Sequence, residues 1–509
     1  DRRPNILFVQ TDYQRGVDGP SLGSGFLKMP TLDRLCKEGA VFARHISTSP
    51  ISMPARFCWV TGQYPHTHGE WDNYGRTWPE KSPMLVELLR GLGYHTVGVG
   101  KMHFFPWDRM TGFDRRIIAE GQGNSAHDDY DKFLNAHGLS RRDLHRIKGR
   151  FGVAGANAVY DWPHDESLHI DSYVGEQARL IIQRRELKAP WFLWVSFPGP
   201  HNPWNPPARY ARPYLEMADL PLGSTFPGEL RTKPIDYTRH RYCYGKPAFD
   251  VIDSRPEDGN EIFRAIRAGH YGNLTMIDEQ VGGILKALEA AGDLDNTLVI
   301  WSSDHGSALG NHNMLHKGTH FDTDARVPFV VRHPGMVKPG VRKGFSAHVD
   351  LLATLVSLAG GRVPKEVEGK DLTGMLTDPD ATVADFAVME CTLVTSIITD
   401  RWKMAFHHFN SEADLYDLRN DPKELKNLAG RAEYAAIEKA LAEKLVKWRR
   451  GLDPRADVPD DPYRWRECLG PVVDVWRKMY MAQYTRMAKL EGRPGKTGRK
   501  YFDRYFGKA

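Results

Sequence analysis

The chain has 509 residues, which is too long for one small core and predicts two or three domains. Hydrophobic residues make up 41% of it, and the formal charge is +5 with acids and bases interspersed. No apolar run approaches the roughly 20 residues of a membrane span, so we expect neither membrane insertion nor dedicated nucleic-acid binding; the mild positive charge suits an anionic substrate.

The first predicted element is an apolar strand that ends in an acid. Residues 4–11 read P-N-I-L-F-V-Q-T, and Asp12 follows. A run of this kind is typical of a buried parallel strand. Because ligands of open α/β sheets gather at the carboxyl ends of the strands, Asp12 is a candidate metal ligand.

A second informative stretch reads S-M-P-A-R at residues 52–56, with T-G-Q-Y-P-H-T-H-G at residues 61–69. Taken alone, Ser52 to Arg56 predicts only a turn before a helix, with Pro54 at an early helical position. It is the further motifs, which follow in chain order, that support a catalytic function for this stretch.

Two further predicted strands are followed by basic residues and histidines. Residues 94–97 precede G-V-G-K-M-H, which contains Lys101 and His103, and the apolar run 191–197 precedes P-G-P-H-N-P, which contains His201. The prolines of the segment 198–203 would be explained by a rigid surface loop, but such a loop does not explain His201. The ordinary pKa of a histidine suits proton transfer near neutral pH.

A second acid-bearing strand lies downstream, where residues 297–303 precede Asp304 and His305. Two carboxylates and an imidazole from two strand ends can enclose one divalent cation. Carboxylate oxygens suit Ca²⁺, Mg²⁺ or Mn²⁺, and the imidazole shifts the preference toward Mn²⁺ or another transition metal.

The order of elements predicts an α/β fold. Predicted helices at 85–92 and 266–291 alternate with strands, which indicates a large, mostly parallel sheet sandwiched by helices. Residues 120–180 and 205–262 have poor periodicity and are predicted insertions around the mouth of the active site, where they set substrate choice. We expect a catalytic domain at 1–375, a smaller C-terminal α+β subdomain at 376–450 and an extension at 451–509.

Together the motifs resemble those of the type I sulfatases of the alkaline phosphatase superfamily. The matches include a [CS]-x-P-x-R pentapeptide, a G-K-x-H element, a P-H-x-P element and, at residues 415–428, L-Y-D-L-R-N-D-P-K-E-L-K-N-L. Their style is similar to choline-sulfatase-like and phosphonate monoester hydrolase-like members. The resemblance implies an alkaline phosphatase-like fold and a metal-dependent sulfatase that hydrolyses a small-molecule or carbohydrate sulfate monoester.

The resemblance also implies a role for each motif residue. Ser52 is converted to formylglycine, which is the nucleophile, and Arg56 stabilises its charged form. Sulfate is bound by Lys101 and Lys317, His103 is the base for sulfate release, and His201 protonates the leaving oxygen. The implied metal ligands are Asp12, Ser52 as the modified residue, Asp304 and His305, and the implied ion is Ca²⁺, or Mn²⁺ in the phosphonate- and phosphodiester-cleaving relatives.

Two departures from the family pattern motivate alternatives. Tyr13 stands where the family has a second acid or a glutamine, so Gln14 or water is expected to fill that place. With the Asp304–His305 pair, this motivates a phosphonate monoester hydrolase or phosphodiesterase. Because many members carry cysteine at position 52, the other alternative is an inactive serine-substituted form that binds a sulfated ligand without turnover.

The remaining expectations concern partners and location. Maturation requires a formylglycine-generating enzyme. Aromatic residues interleaved with arginines in the extension are expected to contact a second subunit of a homo-oligomer or to pack back on their own domain. The absence of a leader favours the cytoplasm, or the periplasm or secretion if a signal peptide was removed.

Overall fold

The computed structural model describes residues 3–18, 25–73, 78–121, 128–151, 157–188, 190–226, 229, 232–234, 237, 256–392, 394–408, 412–452, 459–462 and 465. The strands are β1 Asn5–Thr11, β2 Ala40–Ile46, β3 His95–Gly100, β4 Arg115–Ile118, β5 Trp191–Ser196, β6 Thr297–Ser303, β7 Phe329–Arg332, β8 Gly340–Ala347, β9 Phe386–Glu390, β10 Val394–Thr399, β11 Trp402–His407 and β12 Ala413–Asp417. The helices are α1 Pro30–Glu38, α2 Ser52–Thr61, α3 Pro65–His68, α4 Leu85–Gly91, α5 Asp129–Ala136, α6 Arg141–Arg146, α7 Ile170–Gln183, α8 Ala208–Leu215, α9 Pro256–Ala291, α10 Asp322–Ala325, α11 Asp350–Leu358, α12 Thr373–Thr377 and α13 Ala435–Leu452.

Eight strands form a large sheet in the order β4-β3-β5-β1-β6-β7-β2-β8. Adjacent strands in this sheet run parallel to each other, except that β7 runs antiparallel to both β6 and β2. The predicted mostly parallel sheet is therefore confirmed.

Both faces of this sheet are covered by helices. On β1, Leu7 and Val9 point to a core shared with α7 and α9, whereas Ile6 and Phe8 point to a core shared with α2, α4 and α11. Side chains of a strand alternate between faces, so burial on both sides requires the continuous apolar run seen in the sequence.

The central strands place four loop starts side by side. In the order β3-β5-β1-β6, Gly100 pairs with Ser196, Gln10 pairs with Ser196, and Thr11 pairs with Ser303. The residues that follow these strands therefore meet at one edge of the sheet, where ligands of α/β folds bind.

A second sheet of four antiparallel strands, ordered β12-β11-β10-β9, packs with α13 around a core that includes Leu415 and Leu445 and is shared with Cys58 of α2 and Ala347 of β8. This confirms the predicted C-terminal α+β unit. The boundaries 1–375, 376–450 and 451–509 stay predictions, and most of the extension lies outside the described residues. Within the described parts of the chain, every helix is too short or too polar to cross a membrane.

Candidate active site

Asp12, Asp304 and His305 converge at the ends of β1 and β6. Each offers a ligand atom within 4.8 Å of the others, and all three side chains are buried. His305 Nε2 lies 3.8 Å from Asp12 Oδ1 and 3.6 Å from Asp304 Oδ2. The cluster joins the two predicted acid-bearing strand ends.

Two features show that this cluster fits a divalent cation. His305 Nδ1 donates to the Gly306 carbonyl at 2.9 Å, which leaves the lone pair of Nε2 facing the carboxylates. Asp12 Oδ1 is buried without a hydrogen-bond partner. A buried carboxylate oxygen needs a compensating partner, and a cation bound by oxygen and imidazole ligands supplies one.

Ser52 is the first residue of α2, beside the carboxylate cluster. Its Oγ lies 3.0 Å from His305 Nε2 and accepts a hydrogen bond of 2.7 Å from Lys317 Nζ. The start of a helix carries a partial positive charge that favours anions. Ser52 therefore lies between the candidate metal ligands and a lysine, at an end of a helix that attracts negative charge.

Arg56 lies one turn after Ser52 on the same face of α2 and is fully buried. Its Nη2 lies 3.2 Å from Asp12 Oδ2 and 3.1 Å from Asp304 Oδ2. Its Nη1 donates to Gln10 Oε1 at 3.3 Å, to Ser196 Oγ at 3.0 Å and to the backbone carbonyl of Lys101. The guanidinium thus holds the Oδ2 atoms of both acids, so that Asp12 Oδ1 stays available.

The buried charges at the site shift one another's pKa values. Burial alone would raise the pKa of Asp12, but Lys101, whose Nζ is 2.5 Å from Oδ2, together with His201 and Lys317 holds that pKa well below its usual range. Burial and the Asp12 charge raise the pKa of Asp304 to about 7. Burial lowers the pKa of Lys317 to about 8, although Asp12 opposes this change.

His201 follows β5 in a loop with two cis peptide bonds, Gly199–Pro200 and Asn202–Pro203. Its Nδ1 donates to the Asn202 carbonyl at 2.8 Å, which leaves Nε2 for another partner. The loop is anchored from two sides, because the Gly199 N–H donates to Asp171 Oδ1 at 2.9 Å and the Gly199 carbonyl accepts from the Asp12 N–H at 3.0 Å. Burial, Lys101 and Lys317 hold the pKa of His201 well below its ordinary value.

His103 lies beyond β3 with a left-handed backbone, φ +53°. Its N–H donates to Glu120 Oε1 at 3.0 Å, and its ring Nδ1 is buried without a hydrogen-bond partner. Burial, Lys101 and Arg56 hold its pKa well below the ordinary value, which leaves a neutral imidazole. Glu120 lies in the predicted insertion and was not among the residues predicted from the sequence.

Tyr13 occupies the place where the family pattern has a further ligand. Its backbone is left-handed, φ +84°, and its ring centre lies 4.3 Å from that of His201, 4.9 Å from that of His305 and 4.2 Å from Lys317 Nζ. Gln14 Oε1 instead accepts from Thr11 Oγ1 at 2.9 Å and from Trp301 Nε1 at 2.8 Å. The suggestion that Gln14 fills the missing ligand position is therefore wrong, because its amide oxygen is already engaged.

The nine predicted site residues thus meet at one edge of the sheet, and their catalytic roles stay predictions. Other aromatic and histidine residues near the motifs serve packing. Trp71 and Trp204 are buried in separate apolar cores, and Tyr74 lies outside the described residues. His66 contacts Glu390 at 2.7 Å, away from the cluster.

The family assignment follows from the extent of the match to known proteins. A family model of sulfatases matches residues 4–361. The protein belongs to the type I sulfatase family. A second model, described as the C-terminal part of N-sulphoglucosamine sulphohydrolase, matches residues 310–451 of this sulfatase.

Individual relatives match along most of the sulfatase chain. Arylsulfatase of Clostridium perfringens is 29% identical, over 89% of this chain and 95% of its own. Choline-sulfatase of Rhizobium meliloti is 28% identical, over 84% of this chain and 82% of its own. The solved structure of phosphonate monoester hydrolase of Agrobacterium radiobacter has a TM-score of 0.76 at 26% identity, covering 89% of this chain and 96% of its own. This chain is accordingly a sulfatase-family hydrolase.

Proposed function

We propose that this protein hydrolyses a sulfate monoester through a formylglycine derived from Ser52, with a divalent metal ion, Ca²⁺, held by Asp12, Asp304, His305 and residue 52. The observation that supports this best is the position of Ser52 Oγ, 3.0 Å from His305 Nε2 and 2.7 Å from Lys317 Nζ. In the hydrated aldehyde that we propose, a hydroxyl takes the position of this oxygen.

The sulfate group is bound by the cations that surround Ser52. Lys317 Nζ contacts Ser52 Oγ at 2.7 Å, and Lys101 Nζ contacts the adjacent carboxylate of Asp12 at 2.5 Å. A bound metal ion supplies charge neutralisation and lowers the pKa of the nucleophilic hydroxyl. Stabilisation of charge on the non-bridging oxygens is the largest contribution expected for a transfer of this type.

Cleavage needs an acid for the leaving oxygen. One hydroxyl of the formylglycine hydrate loses its proton to solvent and attacks sulfur as the alkoxide. The bond from sulfur to the ester oxygen breaks, and that oxygen keeps the electron pair of the broken bond and takes a proton from His201 Nε2. The negative sulfate opposes the influence of Lys101 and Lys317 on His201, so substrate binding favours the protonated imidazole.

Release of sulfate needs a base. His103, kept neutral by burial and by Lys101 and Arg56, takes the proton of the second hydroxyl. The carbon–oxygen bond to sulfate then breaks as the aldehyde re-forms, and water restores the hydrate. Unmodified serine has no second hydroxyl on that carbon, so it cannot release sulfate by forming an aldehyde and would leave an ester that is hard to hydrolyse.

A second candidate is a phosphonate monoester hydrolase or phosphodiesterase, for which Mn²⁺ is the expected ion. The imidazole of His305 in the ligand set and the likeness to the Agrobacterium radiobacter enzyme favour it. Within the sulfatase proposal, the match to N-sulphoglucosamine sulphohydrolase supports a sulfated carbohydrate as substrate. The formylglycine-generating partner, the homo-oligomer and the cytoplasmic location stay predictions.

The test combines peptide mass with paired kinetics. The tryptic peptide of residues 45–56 is expected to be lighter by two hydrogens than its sequence predicts, and an aldehyde reagent is expected to trap it. With that modification present, kcat/KM for 4-nitrophenyl sulfate is expected to exceed that for an aryl phosphonate monoester or an aryl phosphodiester. Ser52→Ala is expected to abolish turnover, whereas the matched Ser357→Ala in α11 is expected to leave it unchanged.

Faster cleavage of the phosphonate or diester would replace the proposal with the second candidate. An unmodified serine combined with tight binding of aryl sulfate and no turnover would instead favour the inactive serine-substituted form.

A further inference from the structure

A second buried cluster of side chains that can bind a metal lies outside the candidate active site. His320, His407 and Asp414 each offer a ligand atom within 4.8 Å of the others, and all three side chains are buried. His407 Nε2 lies 3.1 Å from Asp414 Oδ2, and His320 Nε2 lies 3.8 Å from the same oxygen. In a tetrahedral zinc site with bonds of about 2.0 Å, neighbouring ligand atoms are about 3.3 Å apart. The cluster therefore comes close to the spacing that such an ion requires.

The cluster is assembled from separate parts of the fold. His320 lies in the segment before α10, whereas His407 ends β11 and Asp414 belongs to β12. Tyr237 comes from the predicted insertion, and its Oη lies 2.8 Å from His320 Nδ1 and 2.7 Å from Asp414 Oδ2. Tyr416 donates to Asp414 Oδ1 at 2.9 Å, so that Oδ2 is the carboxylate oxygen directed at the two histidines.

The single hydroxyl hydrogen of Tyr237 does not satisfy both of these contacts. If it is donated to Asp414, the N–H of His320 is at Nδ1, and the lone pair of His320 Nε2 faces the carboxylate. If it is donated to His320 Nδ1, two oxygens 2.7 Å apart, Tyr237 Oη and Asp414 Oδ2, have no hydrogen between them. Within the described part of the chain, His320 Nε2 is buried without a hydrogen-bond partner. A cation beside Nε2 and Oδ2 removes this conflict.

The protonation states expected in the cluster are those of metal ligands. Burial holds the pKa of His320 well below its ordinary value, so its imidazole is neutral. Burial alone would raise the pKa of Asp414, but the hydrogen bond with His407 and nearby charges, including that of Lys233, hold that pKa below its usual range. Neutral imidazoles and ionised carboxylates are the forms that bind metal ions.

The lysines near the cluster are paired with other acids. Lys233 Nζ lies 3.3 Å from Glu229 Oε1. Lys403 Nζ lies 2.5 Å from Asp322 Oδ1 and 2.6 Å from Glu424 Oε1. Because these acids balance the lysine charges, the lysines repel a cation at the cluster only weakly. An apolar core of the same region, which keeps the cluster dry, contains Tyr237, Ala308, Met314, Phe321 and Tyr416.

We propose that His320 Nε2, His407 Nε2 and Asp414 Oδ2 bind a zinc ion that is separate from the ion proposed for the active site. Two imidazoles and one carboxylate suit Zn²⁺ better than Ca²⁺, which takes a shell of oxygens. Tyr237 accepts from His320 Nδ1–H and thereby directs Nε2 at the ion, as hydrogen-bond partners of zinc-binding histidines do. On binding, the hydrogen of the neutral His407 ring moves from Nε2 to Nδ1.

The origin of the ligands gives the ion a structural role. His320 follows closely after Lys317, which contacts Ser52, whereas His407 and Asp414 belong to the small sheet. An ion shared by these ligands fixes the segment of Lys317 against the C-terminal unit. Metal binding of this kind adds directly to the free energy of unfolding.

The experiment uses the Asp304→Asn protein, in which the active-site ligand set is weakened, so that zinc binding reports the second cluster. After treatment with a chelator and dialysis against zinc, this protein is expected to retain about one zinc ion per chain by elemental analysis. Asp414→Asn in the same background is expected to lose that zinc, and Tyr237→Phe is expected to weaken its affinity about 10- to 100-fold. The matched control is His333→Gln, which replaces a buried histidine outside the cluster and is expected to retain the zinc.

His320→Gln provides a second variant that removes one ligand without changing a charge, and circular dichroism verifies that each variant is folded. Zinc is expected to raise the thermal unfolding midpoint of the Asp304→Asn protein but not that of the variants that lack a second ligand. In crystals of the wild type soaked with zinc, anomalous diffraction is expected to place an ion beside His320 Nε2, His407 Nε2 and Asp414 Oδ2. Zinc retained equally by Asp414→Asn and His320→Gln overturns the inference, as does a folded Asp304→Asn protein that binds none; the cluster would then be a metal-free hydrogen-bond network.

Discussion

At the scale of single residues, Arg56 shows how one side chain orients a whole site. Its planar guanidinium holds the Oδ2 atoms of Asp12 and Asp304 while it also contacts Gln10, Ser196 and the Lys101 backbone. A lysine carries the same charge but lacks the planar array of five donors with which the guanidinium contacts all of these groups together. The orientation of the carboxylate oxygens that face His305 therefore depends on the planar shape of the Arg56 guanidinium as well as on its charge.

Arg56→Lys is accordingly expected to weaken divalent metal affinity about 10- to 100-fold, as loss of a residue that orients ligands does. Calcium and manganese titration calorimetry on the metal-stripped protein measures this directly. The control is Arg44→Lys, since Arg44 pairs with Asp400 at an exposed position. Unchanged metal affinity in Arg56→Lys would show that Asp12 and Asp304 keep their orientation without the guanidinium.

At the same scale, the sequence predicted the acids, lysines and histidines but not how Tyr13 is used. Tyr13 was recognised as a departure, yet its left-handed backbone and its ring between His201 and His305 depend on contacts between distant segments. Gln10 was likewise missed, although a glutamine inside an apolar strand is a visible signal of a buried polar partner.

At the scale of elements, the site depends on how tightly the ends of neighbouring strands approach each other. Gly100 ends β3 with φ +97°, and a Cβ there would lie 2.0 Å from the Ser196 carbonyl oxygen of β5. Only glycine permits both this conformation and this approach. Lys101 follows immediately, so its position depends on the closeness of β3 and β5.

Gly100→Ala is expected to lower the free energy of unfolding by more than about 2 kcal/mol, because backbone strain and a clash with backbone add together. It is also expected to reduce sulfatase turnover more than the loss of folded protein explains, since Lys101 moves. Urea unfolding and active-site-normalised kinetics measure the two effects. Gly91→Ala, in α4, meets nothing within 4 Å and is expected to be neutral or slightly stabilising.

Strands and helices were predicted correctly where the residues of one chain segment are enough to indicate its burial. The apolar runs at 4–11, 191–197 and 297–303 are buried strands, and the alternation with helices gave the sheet. A cavity beside His201 was not predicted in detail, because its wall combines α6, the segment of Tyr160 and Trp162, α7 and α9. Only the general position of an insertion near the mouth was visible in the sequence.

At the scale of the whole molecule, a buried cluster of three ionisable residues joins the small sheet to α3 and α13. Glu390 ends β9 of the small sheet, and its carboxylate contacts His66 of α3 at 2.7 Å and Arg449 of α13 at 2.5 Å. All three side chains are almost fully buried. The link thus connects the helix that follows the Ser52 segment to the C-terminal helix through the small sheet.

This link predicts a pH-dependent contribution to stability. Burial alone would raise the pKa of Glu390, but His66 and Arg449 hold it at about 2, below the ordinary 4.5. A carboxylate whose pKa is lowered on folding stabilises the native state above its unfolded pKa. The contribution is therefore present above about pH 4.5 and is lost as the pH falls toward 2.

Glu390→Gln is expected to cost about 3 kcal/mol at pH 7, because it leaves Arg449 buried without its counter-charge. The difference in unfolding free energy between the wild type and the variant is expected to shrink steadily between pH 5 and pH 3. Urea unfolding across that range measures it, with Glu433→Gln at an exposed position as the control. If the difference in unfolding free energy stayed constant with pH, Glu390 would not be the ionised partner of His66 and Arg449 that the geometry indicates. Only a carboxylate that titrates over this range makes the stability of the contact depend on pH.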